Sequence, residues 1–418
     1  MGVKQPEQAV ILVGGLGTRL GPRTADTPKP LLGVGDRPFL AHLLEEVARH
    51  GLRRVLLLAR FQAEKIAEFV ATNPVIARFG LSVETSVEPE RAGTGGALWH
   101  ARNRLDPLFL LLNGDSWADC NLLDLAVCAG RSDDWVAAMT VREVPDGSRF
   151  GTVEMNGARV CSFRERPDRP GPALVNAGIY LCRRELLSYA VPAASLELDI
   201  LPRLAGEGRL AGHRVDGYFV DVGVPAALEQ AQAELPGARR RRAVFFDRDG
   251  VLNVDHGYVG SISRFEWSAG AREAVKLVND RGWFAFVVTN QAGVARGYYG
   301  ETAVAALHGH LQGELMAMGA HIDDFRYCPY HPEAKVAAYA RTSGWRKPAP
   351  GMILDLVKHW PIDLAGSLLI GDKDIDLAAA AAAGIGGCLF TAGRLDTFTA
   401  DCIQSGVTVA PSRAFQRG

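Results

Sequence analysis

The chain is poor in cysteine, with seven residues scattered and none in a paired spacing, so no disulfide framework can be read and reduced thiols are expected. Long apolar runs are also missing, since no stretch approaches the roughly 20 residues that a bilayer crossing takes. The opening Met1–Gln8 is polar and lacks the apolar centre of a secretory leader. Neither sign of charge dominates: 46 Lys and Arg stand against 47 Asp and Glu, a formal net charge of -1. That balance argues against a nucleic-acid or membrane partner drawn by a global basic field. The expectation is a cytoplasmic protein that works on small molecules. Nothing in the pattern fixes an oligomeric state.

What is present divides in two. At 418 residues, and with about 100–200 residues per domain, two domains are expected. The seam reads Leu235-Pro-Gly-Ala-Arg-Arg-Arg-Arg-Ala243, where a Pro-Gly break ends one helical pattern and an apolar strand opens the next. We therefore expect a first domain over 1–234, a linker over 235–242 with its four arginines solvated, and a second domain over 243–418. Both halves show short apolar runs that end in glycine or a carboxylate, the sign of buried parallel strands delivering ligand-binding groups. The fold class expected is α/β, with two Rossmann-like three-layer domains.

In the first half, Ala9-Val-Ile-Leu-Val13 runs into Gly14-Gly15-Leu16-Gly17-Thr18-Arg19-Leu20-Gly21. This is neither a Walker loop nor a dinucleotide fingerprint. Glycines let backbone N–H groups approach an anion, and Arg19 with Lys29 of Thr27-Pro-Lys-Pro30 adds positive charge, so the loop reads as a triphosphate cradle. An amphipathic helix over Phe39–His50 and strands over Val55–Leu58 and Leu81–Val87 follow. Phe109-Leu-Leu-Leu-Asn-Gly-Asp115 is a further strand ending in a carboxylate.

Gly-Gly-x-Gly-Thr-Arg-Leu followed by Pro-Lys-Pro resembles the sugar-nucleotide pyrophosphorylases. That resemblance implies a GT-A-like domain in which Gly14, Gly15, Gly17, Thr18, Glu88, Gly93 and Thr94 bind the nucleotide, while Arg19 and Lys29 hold the triphosphate and the leaving pyrophosphate. It further implies that Asp115 and Asp221, the latter in Tyr218-Phe-Val-Asp-Val-Gly-Val-Pro225, hold magnesium. Glu165 and Asn176 are implied at the sugar hydroxyls. Arg166 stands where the family usually has the lysine that grips the sugar phosphate, replacing a point charge by a planar fork. The glycine-rich opening resembles guanylyltransferases most, which makes GTP the expected nucleotide.

In the second half, Asp247-Arg-Asp249 closes an apolar strand. Two carboxylates at alternate positions can serve as nucleophile and general acid on a phosphate ester, provided a cation offsets their charge. With Thr289 at the end of Phe284–Asn290, Lys347, and Asp372 followed by Asp376, the set resembles the haloacid-dehalogenase-type phosphatases. Asp374 is a surplus acid without an assigned role. The resemblance implies magnesium on Asp247, Asp249 and Asp372, and phosphate on Thr289 and Lys347. Asp247–Val259, Thr289–Gly297 and Arg346–Met352 are similar to the heptose bisphosphate phosphatases, with histidinol phosphatases as near kin, and imply Asn290, Arg296 and Arg346 at the sugar phosphate. The zinc loop of that family keeps Cys328 here but has Tyr330, Ser343 and Trp345 where its other ligands belong, so no zinc is expected.

The two chemistries fit in series: removing the distal phosphate of heptose 1,7-bisphosphate leaves heptose 1-phosphate, which a nucleotidyltransferase consumes. Two rival expectations stand beside this one. In the first, a mannose or glucose 1-phosphate nucleotidyltransferase is joined to a phosphatase for another ester, such as histidinol phosphate. In the second, one half is a degenerate sensor or scaffold.

Overall fold

The computed structural model describes residues 4–89, 92–130, 134–165 and 170–406. The chain divides after Ala238 into two compact units.

The strands of the first unit are β1 (Gln8–Leu12), a ribbon of β2 (Gly33–Val34) and β3 (Arg37–Pro38), β4 (Arg54–Ala59), β5 (Ser82–Val87), β6 (Leu108–Asn113), β7 (Ser116–Ala118), β8 (Ala137–Val144), β9 (Gly151–Asn156), β10 (Arg159–Glu165), β11 (Ala173–Arg183), β12 (Leu210–Arg214) and β13 (Phe219–Asp221). Nine of them form one sheet in the order β5-β4-β1-β6-β11-β8-β12-β10-β9. β5, β4, β1 and β6 are mutually parallel, and the near-continuous burial of Ala9–Ile11, Val55–Ala59 and Phe109–Leu112 is what a parallel strand covered on both faces requires. The chain leaves β1 toward β4 and later returns to its other side as β6, so the carboxyl ends of β1 and β6 flank a topological switch point, where α/β sheets bind ligands. A second ribbon, β7 with β13, pairs Ser116 with Asp221.

The second unit holds β14 (Ala243–Phe246), β15 (Phe284–Asn290), β16 (Asp324–Cys328), β17 (Leu368–Gly371) and β18 (Gly386–Leu389), in the order β16-β15-β14-β17-β18 and all parallel. Val244, Phe246, Val287 and Ile370 form part of its core. Asp247, Thr289 and Asp372 fall at or just beyond the carboxyl ends of the three central strands.

One expectation is corrected and one refined here. The seam is not a solvated linker: the helix Pro225–Ala238 runs through Pro236, and Arg239 and Arg241 are buried while Arg240 and Arg242 are exposed. The alternation is that of extended backbone, and Arg241 bridges Ile362 in parallel with its guanidinium 5.5 Å from the Phe284 ring. Phe39–Arg49, in turn, is amphipathic as expected, but its polar face is buried along with its apolar one. Its charges are matched by Arg37 on Glu45 at 3.1 Å and Arg49 on Glu46 at 2.7 Å, as buried charge requires. Among the described residues no helix is long and apolar enough to cross a membrane.

Candidate active sites

In the first unit, β1 hands over to the loop at Gly14. A Cβ there would lie 2.8 Å from Glu88 Oε1, so glycine admits the Glu88 carboxyl to the loop. Gly17 sits at φ 64°, a left-handed conformation that favours glycine, and Thr24 Oγ1 donates to its carbonyl at 3.0 Å. Behind the loop, Gly114 N donates to Leu12 O at 3.0 Å. A Cβ on Gly114 would lie 2.3 Å from that oxygen, so this glycine lets β6 carry Asp115 close to the loop. The β7–β13 ribbon then draws Asp221 in. Val222 N donates to Asp115 O at 2.9 Å, and Ser116 Oγ reaches Asp115 Oδ1 at 3.2 Å and Asp221 Oδ2 at 3.4 Å.

Lys29, almost fully buried, pairs with Asp115. A Cβ on Gly223 would meet Asp221 Oδ1 at 2.5 Å, Arg19 Nη2 at 3.1 Å and Lys29 Nζ at 3.4 Å, which places both cations and one carboxylate around a single point. Desolvation pushes Asp115 up, but the charge and hydrogen bond of Lys29 outweigh it and leave the carboxyl below its usual range. Asp221 is pushed up by desolvation and by the charge of Asp115. Two carboxylates driven apart in this way, with a hydroxyl between them, suit a divalent cation. Burial also raises Glu88, to about 7, and its Oε2 is buried with no hydrogen-bond partner among the described residues.

Arg19, Asp115, Asp221, Glu165 and Asn176 line one cavity of about 400 Å³. Asn176 also donates to the Tyr180 hydroxyl at 2.5 Å and accepts from Gly178 N at 3.0 Å. Gly93 and Thr94 open the helix Gly93–His100. Thr94 Oγ1 donates to Glu197 at 2.7 Å and accepts from Leu196 N, while the N–H groups of Gly95 and Gly96 both go to Ala194 O. The third and fourth N–H groups of helix Gly93–His100 are thus satisfied within the protein. Arg166 lies outside the described residues. Ser116, which stands beside Asp115, carries no sequence signal of its own, while Glu197, within the Ser195-Leu-Glu-Leu-Asp199 segment that the family resemblance also covers, lines the cavity too.

In the second unit, Lys347 Nζ reaches Asp247 Oδ2 at 2.8 Å, Asp376 Oδ1 at 2.7 Å and Val288 O at 2.9 Å. Asp247, Asp372 and Asp376 bring ligand oxygens within 4.8 Å of one another, and Asp372 Oδ1 is buried without a hydrogen-bond partner among the described residues. A Cβ on Gly250, at φ 87°, would lie 2.3 Å from Asp372 Oδ2, so the Asp-x-Asp-Gly glycine makes room for the third acid. Burial raises Asp247 to about 6 against the pull of Lys347, with the charges of Asp376 and Asp249 adding to the rise.

The Asp249 side chain is not part of this acidic group, which corrects its expected place as a carboxylate metal ligand. Arg248, wholly buried, donates from Nη2 to both Asp249 oxygens at 2.9 Å. Asn253 and Gln291 donate to the same carboxylate at 3.0 and 2.9 Å, and Asp376 stands in its stead. Thr289, almost wholly buried, accepts from Gln291 at 2.9 Å. Asn290 exchanges hydrogen bonds with the Lys347 backbone at 3.1 and 3.0 Å, so its amide positions the lysine as well as lining the cavity. That cavity, about 260 Å³, is bounded by Asp247, Asp249, Thr289, Asn290, Tyr258 and Arg346. Arg296 lies 5.7 Å from the Tyr258 ring. Burial and then the charge of Arg296 pull Arg346 down.

Comparison with known proteins agrees with this division. The nucleotidyl transferase family matches residues 8–237 and the HAD-hydrolase-like family residues 344–409. The chain belongs to the nucleotidyl transferases through its first unit and to the HAD-type heptose-bisphosphate phosphatases through its second. Among its relatives is the D-glycero-beta-D-manno-heptose-1,7-bisphosphate 7-phosphatase of Rhodopseudomonas palustris, 48% identical over 161 residues that make up 38% of this chain and 89% of the relative. The alpha-heptose counterpart from Burkholderia mallei is 43% identical over 155 residues, 37% of this chain and 82% of the relative. The crystal structure of HddC from Yersinia pseudotuberculosis complexed with GMP-PN is 29% identical, covers 55% of this chain and 99% of its own, and has a TM-score of 0.48.

Proposed function

We propose that the protein is a bifunctional enzyme of nucleotide-activated heptose synthesis. Its second unit removes the 7-phosphate of heptose 1,7-bisphosphate, and its first transfers GMP from GTP to the resulting heptose 1-phosphate, releasing pyrophosphate. The observation that carries the reading is the presence, in one chain, of two carboxylate-and-cation centres at strand ends, the second in a unit 48% identical to a heptose-bisphosphate 7-phosphatase.

In the phosphatase unit, Asp247 is the nucleophile. One of its oxygens forms a bond to phosphorus as the bond to the C7 oxygen breaks, and Asp249 protonates the departing alkoxide. Water then attacks the aspartyl phosphate, with Asp249 taking its proton. Lys347 and Thr289 hold the phosphoryl oxygens, while Arg296 and Arg346 face the rest of the substrate. Asp247, Asp372 and Asp376 fit magnesium by charge, spacing and the unpartnered Asp372 oxygen. When bound, the ion offsets the repulsion between carboxylate and phosphate.

In the first unit, the sugar phosphate oxygen attacks the α-phosphorus of the nucleotide in line with the leaving pyrophosphate. Arg19 and Lys29 neutralise the triphosphate, and the loop at Gly14, Gly15, Gly17 and Thr18 cradles it. Asp115 and Asp221 are the residues that would hold magnesium there. Glu88 supports guanine over other bases, because its unpartnered oxygen is an acceptor and guanine presents adjacent N–H donors.

No zinc is part of this reading. The loop after β16 is tied by the Tyr339 hydroxyl, which donates to Glu301 at 2.7 Å beside that of Tyr327 from the strand itself, and by Arg341, 3.7 Å from the Tyr330 ring. One incubation tests the whole: protein, magnesium, each anomer of heptose 1,7-bisphosphate and all four nucleoside triphosphates, read by mass spectrometry. GDP-heptose from one anomer is the expected product; persistence of the bisphosphate would sink the assignment.

A further inference from the structure

The first unit must bind two polyanions, and the cations so far described there, Arg19 and Lys29, converge on the carboxylates around Gly223. A sugar 1-phosphate needs a counter-charge on its own side of the cavity, where Gly151, Glu165 and Asn176 stand. We propose that Arg149 is the residue that grips the sugar 1-phosphate and makes the site selective for phosphorylated sugars.

Arg149 lines the cavity. Among the described residues its side chain makes no ion pair or hydrogen bond; its guanidinium lies 5.5 Å from the Phe150 ring and its charge helps to lower Asp146, so its five N–H donors remain available to two oxygens of a phosphate. Its backbone is held firmly. Asp146 accepts from Ser148 N and Oγ at 3.0 Å and from Gly171 N at 3.3 Å, and Phe150 N donates to Gly147 O at 3.0 Å. Phe150 packs on Phe219 with ring centres 5.6 Å apart, and Phe219 opens the strand that ends in Asp221. The loop bearing Arg149 is thus tied to the ribbon bearing a metal-site carboxylate, which fixes the backbone from which the Arg149 side chain springs relative to the Asp221 end of the cavity.

The substrate named here rests on the function proposed above. The test uses full-length wild type, Arg149→Ala, Arg149→Lys and Arg166→Ala with GTP, magnesium and whichever sugar 1-phosphate the wild type turns over. For Arg149→Ala, KM for the sugar 1-phosphate is expected to rise roughly 10- to 100-fold, the worth of a charged hydrogen-bonded pair, with KM for GTP unchanged and partial recovery in Arg149→Lys. Inhibition by the same sugar without its phosphate should not change. An unaltered sugar-phosphate KM, an equal rise for GTP, or equal weakening of the unphosphorylated sugar would overturn the inference. A wild type that uses a sugar other than heptose refutes the heptose reading alone, and Arg149 is judged on that sugar. A wild type that binds no sugar 1-phosphate overturns both.

Discussion

Replacing Lys347 by Met keeps the length of the side chain and removes its charge from between Asp247 and Asp376. Lys347 is 3% exposed, and its loss leaves Asp247 and Asp376, 2.8 and 2.7 Å from its ammonium, without their counter-charge. Breaking a buried pair while leaving its carboxylates in place costs about 3–5 kcal/mol, which lowers a urea midpoint by roughly 1–2 M. The deficit depends on pH with a definite sign. Asp247 already has its carboxyl raised to about 6, and losing Lys347, which pulls it down, raises it further. A raised acid lends stability that is full below its ordinary value and is lost as pH rises through the folded value. The variant should therefore fall furthest behind wild type at about pH 8 and recover much of the difference at about pH 5. The assay is urea unfolding of the full chain in EDTA, followed by tryptophan fluorescence at both pH values. A deficit equal at the two, or larger in acid, would refute the reasoning.

Glu88→Gln should flatten the pH dependence of KM for GTP: in wild type KM is expected to rise as the pH falls below about 7, because a protonated carboxyl can no longer accept two N–H donors. Asp221→Asn should cut nucleotidyl transfer by about a thousand-fold and leave phosphate release from the bisphosphate intact; a parallel loss of both would break the assignment of separate sites. Arg248→Met should slow the phosphatase by at least about a hundred-fold, the worth of a placed general acid, since it frees the Asp249 carboxylate from its fork; unchanged single-turnover rates would count against it. Metal analysis of the purified chain should find no stoichiometric zinc, and one tightly held zinc per chain would contradict the loop as described.

Much of this is legible in the sequence because ligand groups in α/β folds sit where strands end, and strand ends are marked by an apolar run that stops at glycine or an acid. Asp115, Asp247, Thr289 and Asp372 were all found that way. What the sequence concealed is pairwise. The fork from Arg248 to Asp249 joins adjacent residues, yet an Arg between two Asp reads as a solvated turn until its burial is known. Thr94 lies in a motif, but the partners of its hydroxyl, Leu196 and Glu197, are about 100 residues away in the chain. Four arginines in a row look like a linker because charge runs generally are, and only the parallel bridge to Ile362 turns alternate ones inward.

The ribbon between Ser116 and Asp221 joins residues 105 apart in sequence, and it completes the first unit's carboxylate pair. Loop closure over such a span is entropically costly and comes late in folding. During synthesis, the Gly14 loop and Asp115 leave the ribosome long before their second carboxylate does. The nascent chain therefore exposes a half-built anion cradle that cannot turn over until β13 has docked, and truncations ending before Asp221 would fold, if at all, into nucleotide binders without catalysis.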